Sequence, residues 1–419
     1  MRRQKYLLAA AFLALMYLYS MQIGYVCNSF TEDEDLTIEQ REYTGRSPRH
    51  CTEQTNIVFI KCMKCATETM GTIIRRFGYT RDLNFVLPVR HNIYLGWPFP
   101  IEKSDFRPSK RPYNILMEHS IHNHSFTSSF MSKNTSYITI IREPWNHFLS
   151  SFSYFGLRFI VAQPEINVTE YLSNVAKYER IYQSSEKKHF RECFPNGFSI
   201  IKNLMSHCMG MPLGFPEGRP DFSTNDSAIN NFINDLENQF ALVMIVDHFL
   251  ESLVLLKRTL CWSFKDILFH RSNVNSNKYQ KLPRSGKYYQ NFKNFSRVDF
   301  ILFDHFNRTL WRKIQAEGPT FFDEVEQFRV VQLLVERFCF IEGNHNTKSK
   351  NITIPASRFN EEFYVTSSDC DLMNKYLLIQ IRERYNELEL QGNKSAYWYA
   401  NELSPKENPT RGCSFPKAQ

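Results

Sequence analysis

The stretch that decides the fold covers residues 56–69 and reads Asn-Ile-Val-Phe-Ile-Lys-Cys-Met-Lys-Cys-Ala-Thr-Glu-Thr. The four residues after Asn56 form a short apolar run, which is typical of a buried strand in a parallel sheet. Apolar side chains then recur at helical spacing, at Met70, Ile73, Ile74 and Phe77. Gly78 supplies a stop at the end of that helix. The stretch therefore predicts a strand, a tight loop and the first turn of a helix.

The rest of the chain predicts more strands and then a mainly helical half. Strand candidates lie at 83–87, 113–117, 137–141 and 241–246. Long helical patterns lie at 298–315, 321–338 and 371–390. Strands that alternate with helices are typical of a parallel sheet. The predicted fold class is α/β, with a central parallel sheet flanked by helices.

The loop after the first strand has the features of an anion site. The first backbone N–H groups of a helix have no partner within the helix and point outward at the positive end of its dipole. Lys61 and Lys64 add positive charge, and Thr67 and Thr69 add hydroxyl donors. A Walker A loop would need Gly-x4-Gly-Lys-Ser/Thr, and this stretch lacks those glycines. An ordinary strand-loop-helix with surface lysines is the alternative at this point.

A second element strengthens the interpretation as an anion site. The predicted strand 137–141 is followed directly by Arg142, and Pro144 then fits the first turn of a helix. Ser150 lies on that helix, eight residues after the arginine. Because the carboxyl ends of parallel strands share one edge of the sheet, both elements are expected near one ligand.

With both elements in place, the sequence resembles the sulfotransferases that use 3′-phosphoadenylyl sulfate (PAPS). In these enzymes a 5′-phosphosulfate loop is paired with an Arg and a Ser that bind the 3′-phosphate. The sequence is most similar to the galactose 3-O-sulfotransferases, a family that includes galactosylceramide sulfotransferase. The segments that carry this narrower resemblance are 76–78, 83–88, 114–119, 249–256 and 304–311. The resemblance implies a P-loop-like sulfotransferase fold, PAPS as the sulfuryl donor, and a galactose-containing glycolipid or glycan, sulfated at the 3-OH, as the acceptor.

The resemblance also implies roles for single residues. It assigns the 5′-phosphosulfate end of the donor to Lys61, Lys64, Cys65, Ala66, Thr67, Glu68 and Thr69, and the 3′-phosphate to Arg142 and Ser150. The loop departs from the family pattern where Thr, His, Thr and Ser are replaced by Cys62, Met63, Cys65 and Glu68. If the family histidine acts as a base or an acceptor contact, Met63 implies another base, another acceptor, or an impaired member that still binds PAPS or glycan.

Sulfuryl transfer needs stabilisation of developing charge and a base for the proton of the acceptor hydroxyl. Lys61 and Lys64 are the candidates for charge stabilisation. His119 is the candidate base, because it ends the predicted strand 113–117 and an imidazole titrates near neutral pH. Glu118 is the second candidate for the base. No cluster has metal-ligand spacing, so we expect no metal requirement.

The N-terminal part predicts a membrane anchor. Basic residues in the first five positions precede an uncharged, mostly apolar run at 6–25, which is long enough to span a bilayer. The next charges are acidic, so the basic bias places the N-terminus in the cytosol. A cleaved signal peptide is the alternative. We expect a cytosolic tail (1–5), a single-pass type II signal-anchor (6–26), a lumenal stem (27–55), a catalytic domain (56–403) and an irregular tail (404–419).

Sequons and cysteines agree with a lumenal body. Asn-x-Ser/Thr sequons occur at Asn123, Asn134, Asn167, Asn225, Asn294, Asn307, Asn351 and Asn393. The 10 cysteines can form disulfides whose pairing the sequence alone does not give. Cys27, at the membrane edge, could link two chains into a homodimer. Together with the resemblance, these features predict a Golgi membrane glycoprotein.

Other functional classes fit the sequence less well. The net charge of +8 is spread over the chain without a Lys/Arg block, so we expect no nucleic-acid partner. Cys62 and Cys65 form a Cys-x-x-Cys pair, which a thioredoxin-like oxidoreductase also places between a strand and a helix. A lumenal glycosyltransferase would need a metal-binding Asp-x-Asp, and the Asp-Glu-Asp at 33–35 lies in the predicted stem.

Overall fold

A four-stranded parallel sheet forms the centre of the fold. In this computed structural model its strands are β1 (Ile57–Ile60), β2 (Ile115–Leu116), β3 (Ser136–Ile141) and β4 (Leu242–Ile245). Their order across the sheet is β2-β1-β3-β4, so β1 is an inner strand, and all of its residues are buried. Short runs of apolar residues form such strands because helices cover both faces of a parallel sheet.

The structure describes residues 51–89, 93–157, 168–184, 195, 197–270, 284–342 and 351–390. The predicted anchor at 6–26, most of the stem, Cys27 and the tail at 404–419 lie outside these residues. Within the described ranges, no helix is both long enough and apolar enough to cross a membrane. The anchor and the domain boundaries stay predictions.

Helices flank the sheet and make up most of the described second half. They are α1 (Thr67–Thr80), α2 (His124–Thr127), α3 (Pro144–Tyr154), α4 (Val168–Ser173), α5 (Val175–Ser184), α6 (Leu204–Cys208), α7 (Asp226–Gln239), α8 (Phe249–Leu260), α9 (Phe264–Ile267), α10 (Gly286–Phe295), α11 (Arg297–Ala316), α12 (Phe321–Glu342), α13 (Ser367–Asn374) and α14 (Leu378–Leu390). An antiparallel pair, β5 (Asn351–Ile354) and β6 (Phe363–Thr366), lies between α12 and α13 in the chain. The predicted α/β class with a parallel sheet is confirmed.

One predicted strand is wrong. In the segment 83–87 only Phe85 pairs with β2, through an isolated bridge to Ile115. The side-chain amide of Asn84 donates to the carbonyl oxygens of Arg111 and Pro112, 3.0 and 3.2 Å away. Backbone bonds to β2 add to these, since the Ile115 N–H donates to the Asn84 carbonyl oxygen and the Val86 N–H donates to the Ile115 carbonyl oxygen. The segment therefore forms one bridge to β2 rather than a longer ladder. The prediction at 113–117 is correct in place, but β2 is shorter.

The predicted helix at 371–390 consists of two helices. Thr366 begins α13 earlier than expected, because its side chain and that of Asp369 form a capping box. Lys375 then adopts an extended conformation and ends α13. The break places the Tyr376 ring over the guanidinium of Arg75 on α1, with 4.7 Å between the guanidinium carbon and the ring centroid. The C-terminal helices thus contact the helix that follows β1.

Two disulfides link distant segments within the described part of the chain. Cys51, just before β1, is bonded to Cys261 at the end of α8. Cys339 of α12 is bonded to Cys370 of α13. Disulfides persist in oxidising compartments and are rare in the cytosol.

Candidate active site

The loop from residue 61 to residue 66 leaves the carboxyl end of β1 and leads into α1. Lys64 (φ 63°) and Ala66 (φ 52°) both lie in the left-handed region of backbone conformation, which side chains other than glycine rarely adopt. Ala66 is the N-cap of α1, and no side chain caps this helix end. Backbone N–H groups that converge in such a loop, at a helix N-terminus, form an anion-binding concavity.

Lys61 places a cation at the base of this loop. Its side chain is 0% exposed, and its Nζ lies 2.8 Å from Oε1 of Glu68, a residue in the first turn of α1. Removing an ammonium ion from water costs several kcal/mol unless an anion compensates it. Glu68 supplies that anion, so Lys61 is a buried, ion-paired cation at the start of α1 rather than a surface lysine.

Glu68 connects Lys61 to a second buried cation. Its carboxylate is 54% exposed, and Oε2 lies 4.0 Å from Nη1 of Arg75, two helical turns further along α1. Burial alone would raise the pKa of Glu68, but the charges of Lys61 and Arg75 outweigh burial and lower it to about 2. Glu68 is therefore ionised throughout the neutral range.

Arg75 pairs with Glu118, the second candidate base. Nε and Nη2 of Arg75 donate to Oε1 of Glu118 at 3.1 and 2.7 Å, and both side chains are buried. Burial alone would lower the pKa of Arg75, but Glu118 outweighs it and the pKa is raised. Within the described residues Oε2 of Glu118 has no hydrogen-bond partner. Lys61, Glu68, Arg75 and Glu118 thus form a row of alternating charges.

His119 follows Glu118 and contacts the start of the loop. Its Nδ1 lies 3.0 Å from the carbonyl oxygen of Lys61. A carbonyl oxygen can only accept, so Nδ1 carries the hydrogen and Nε2 keeps a free lone pair. Burial and the positive charge of Lys61 lower the pKa of His119 to about 3. The imidazole is therefore neutral and has the tautomer that a general base needs.

Arg142 approaches the loop from the neighbouring strand. It directly follows β3, and its Nη1 donates to the carbonyl oxygen of Lys64 over 3.4 Å. Within the described residues its Nε is buried and has no hydrogen-bond partner. Ser150 lies on the following helix, α3, and is partly buried. The N-terminus of α3 is already capped by the Glu143 carboxylate, so the uncapped helix end belongs to α1.

The remaining donor-site candidates lie around the loop. Nζ of Lys64 lies 3.7 Å from the ring centroid of Tyr154, and burial and the charge of Arg142 lower the pKa of Lys64. Thr67 is buried, and Thr69 is partly buried on the first turn of α1. The structure brings Lys61, Glu68, Glu118 and His119 together. Lys64 and Arg142 meet each other at the same loop.

The structure shows two residues that the sequence interpretation missed. Arg75 received no predicted role, because it lies outside the apolar stripe of α1 and no local signal marks its burial. His147, on α3, donates from Nε2 to the carbonyl oxygen of Met63 at 2.9 Å and so fixes the loop. Burial lowers the pKa of His147 to about 4, which keeps it neutral.

The thiols of Cys62 and Cys65 are buried and free. A hydrogen bond with the Cys208 thiol, together with burial, raises the pKa of Cys62 well above its usual range. Burial does the same to the pKa of Cys65. Redox-active cysteines need an accessible thiolate with a lowered pKa. The thioredoxin-like alternative therefore finds no support in the geometry of this pair.

An aromatic wall adjoins His119. The Tyr94 ring stacks on the imidazole with 5.5 Å between centroids, and Trp97 lies 5.7 Å from Tyr94. Both residues belong to the described segment 93–112, which precedes β2. Tyr94 is partly exposed.

In the part of the chain that is described, no three His, Cys, Asp or Glu side chains come together as a metal site.

Fold and site together define an α/β protein with a lysine-containing loop at the carboxyl edge of a parallel sheet, and residues 56–69 contain no nucleotide-binding glycine loop. The family model described as galactose-3-O-sulfotransferase matches residues 1–373. The chain therefore belongs to the galactose-3-O-sulfotransferase family, and this membership supports sulfotransferase activity with PAPS as the donor that the family implies.

Curated relatives agree with this assignment. The chain is 30% identical to galactosylceramide sulfotransferase of Homo sapiens over 71% of its own length and 67% of the relative's. It is 28% identical to the protein of that name from Bos taurus, over 80% of this chain and 78% of the relative. It is also 28% identical to galactose-3-O-sulfotransferase 2 of Homo sapiens, over 73% of each chain. At these identities, the acceptor of this chain is a separate question.

Proposed function

We propose that this chain transfers the sulfuryl group of PAPS to the 3-OH of a galactose residue, on a glycolipid such as galactosylceramide or on a glycan. One observation carries the proposal. The fully buried ammonium of Lys61 lies at the uncapped N-terminus of α1, and the backbone carbonyl oxygen of Lys61 orients the neutral imidazole of His119. A cation for the leaving oxygen and a base for the attacking hydroxyl are thereby joined through one residue.

The residues around the loop fit a donor with two anionic ends. Lys61, Lys64 and the first amides of α1 would hold the phosphosulfate, and Arg142, whose Nε is unpaired within the described residues, would reach the 3′-phosphate. An anion beside Lys61 would offset its charge and raise the pKa of His119 toward a value suited to proton transfer. His119 would then accept the proton of the acceptor hydroxyl at Nε2.

The acceptor class rests on the relatives and on the aromatic wall. The names of the relatives specify galactosylceramide or galactose, and the partly exposed Tyr94 beside His119 offers a flat face to a sugar ring. To test this, the full chain is incubated in detergent with PAPS and galactosylceramide, lactosides or glucosylceramide. Linkage analysis of the products then identifies the sulfated hydroxyl. We expect sulfate at the 3-OH of galactose. Sulfate at another position, or on glucosylceramide alone, would contradict the acceptor assignment.

The location is part of the proposal. We infer a single-pass type II Golgi membrane protein whose catalytic body is lumenal, because sequons at the exposed Asn134, Asn225, Asn294 and Asn351 and both disulfides suit that compartment. Digestion of the cellular protein with an N-glycosidase should increase its electrophoretic mobility. If the protein isolated from cells carries no N-glycans and has reduced Cys51 and Cys261, this placement is wrong.

A further inference from the structure

Glu68 is an acidic residue inside a site built for anions. Its Oε1 lies 2.8 Å from Nζ of Lys61, and among the described residues no other carboxylate is in ion-pair contact with that ammonium. The contact therefore neutralises the charge that an anionic donor would use. Neither the helix dipole nor helix capping requires it, because a carboxylate on the first turn satisfies the dipole without reaching Lys61.

The burial of Lys61 limits how an anion can reach its ammonium group. The Lys61 side chain has 0% exposure, whereas Glu68 is 54% exposed. An anion that approaches from solvent can reach the ammonium only if a covering group moves. Glu68 is such a group, because it is the second residue of α1 and can change rotamer without a change in the backbone.

A second cation lies within reach of the same carboxylate. Oε2 of Glu68 lies 4.0 Å from Nη1 of Arg75, on the same face of α1. Turning toward Arg75 would keep Glu68 paired while it released Lys61. The pKa of Glu68 is lowered to about 2 by Lys61 and Arg75 against the opposing effect of burial, so neutral pH does not discharge the carboxylate.

We propose that Glu68 is an intramolecular competitor of the sulfuryl donor: its carboxylate occupies the ion-pair position on Lys61, and donor binding displaces it toward Arg75. The inference rests on the proposed function, because it presupposes that PAPS binds at this loop. It assigns Glu68 a positioning role rather than a catalytic one. The expected consequence is weaker binding of donor and faster release of the 3′,5′-bisphosphate product.

The test is a set of calorimetric titrations of the full chain with adenosine 3′,5′-bisphosphate and with PAPS. Glu68→Gln keeps the shape of the side chain and removes its charge. We expect it to lower the Kd of both ligands about 10-fold, from the loss of one like charge a few ångströms from the bound anion. The matched control is Asp323→Asn, an exposed acid in the first turn of α12, and it should leave both Kd values unchanged.

The outcomes separate this inference from the proposed function. If the wild-type chain binds neither ligand, the donor assignment itself fails. If it binds them and Glu68→Gln binds equally or more weakly, Glu68 is not a competitor. Glu68→Asp covers the case in which Glu68→Gln does not fold, since it keeps the charge but reaches less far toward Lys61. A Glu68→Asp variant that binds the bisphosphate less tightly than the wild type also overturns the inference.

Discussion

At the scale of single residues, the hydrogen bond from His119 Nδ1 to the Lys61 carbonyl oxygen links the ends of two strands. It fixes the ring orientation and the tautomer of His119 through a backbone atom. The position of His119 after a strand predicted its proximity to the loop. The sequence did not predict this bond, because it depends on β1 and β2 being neighbours in the sheet.

Replacing His119 with Asn tests its role as the base. The Asn amide can still donate to the Lys61 carbonyl oxygen, but it lacks the lone pair of Nε2. We expect kcat to fall about 10²- to 10⁴-fold, while the Kd for PAPS changes little. His305→Ala is the control, since His305 on α11 pairs with Glu237 at 2.7 Å and has no role in the proposed site. A kcat that survives in His119→Asn would point to Glu118 instead.

Residue types and spacing predicted Lys61, Lys64, His119 and Arg142, and the structure places them at the loop or beside it. Arg75 was missed for a physical reason. Its partner, Glu118, lies 43 residues further along the chain, and only the fold brings the two together. Glu118 was predicted as the second candidate for the base, and in the structure its Oε1 accepts two hydrogen bonds from Arg75.

At the scale of secondary-structure elements, helix α1 holds the site together through Arg75. Arg75→Met leaves the Glu118 carboxylate buried without its cation, so we expect unfolding free energy to fall by about 3–5 kcal/mol. Adding Glu118→Leu should restore most of the loss, because the buried charge is then gone. Chemical denaturation of both variants measures this. A double variant as unstable as Arg75→Met would show that the loss does not come from the unpaired Glu118 carboxylate.

Elements with strong local signals were predicted well. The strand at 137–141 and the helices at 298–315 and 321–338 match β3, α11 and α12 within a few residues. The segment 83–87 has the same apolar character but pairs with β2 only around Phe85, and the side chain of Asn84 adds hydrogen bonds that no local pattern reveals. The break between α13 and α14, where Lys375 is extended and Tyr376 packs against Arg75, likewise has no local signal in the sequence.

At the scale of the whole molecule, buried neutral histidines make stability depend on pH. Burial lowers the pKa of His119 to about 3 and those of His122, His147 and His207 to about 4, from an ordinary 6.5. A histidine whose pKa is lower in the folded state stabilises the fold above pH 6.5, and this contribution is lost as pH falls toward 4. Asp299 acts in the opposite sense, since burial raises its pKa to about 6.

With four such histidines against one aspartate, we expect the melting temperature to fall steadily between pH 6.5 and pH 4. Each histidine contributes up to roughly 1.4 kcal/mol per pH unit in this range. His147→Gln, which can still donate to the Met63 carbonyl oxygen, should flatten the decline. Calorimetric scans across this pH range measure the effect. A melting temperature that stays constant from pH 6.5 to pH 4 would contradict the burial of these histidines.

The global arrangement was predictable only as a class. Alternating strands and helices indicated a parallel sheet, yet the order β2-β1-β3-β4 depends on long-range contacts. The sequence left the disulfide pairs open, because any pairing of the cysteines was compatible with their spacing. In the structure, Cys51 and Cys261 are joined across 210 residues of chain.

Sulfuryl transfer through Lys61 is the central claim, and one assay tests it most directly. The full chain in detergent is incubated with ³⁵S-labelled PAPS and galactosylceramide, beside Lys61→Ala and the exposed-lysine control Lys313→Ala. We expect label on the galactolipid with the wild type and Lys313→Ala, and a loss of about 10³-fold or more with Lys61→Ala. A wild-type chain that binds PAPS but labels no galactose acceptor, or a Lys61→Ala variant with normal transfer, would contradict the account.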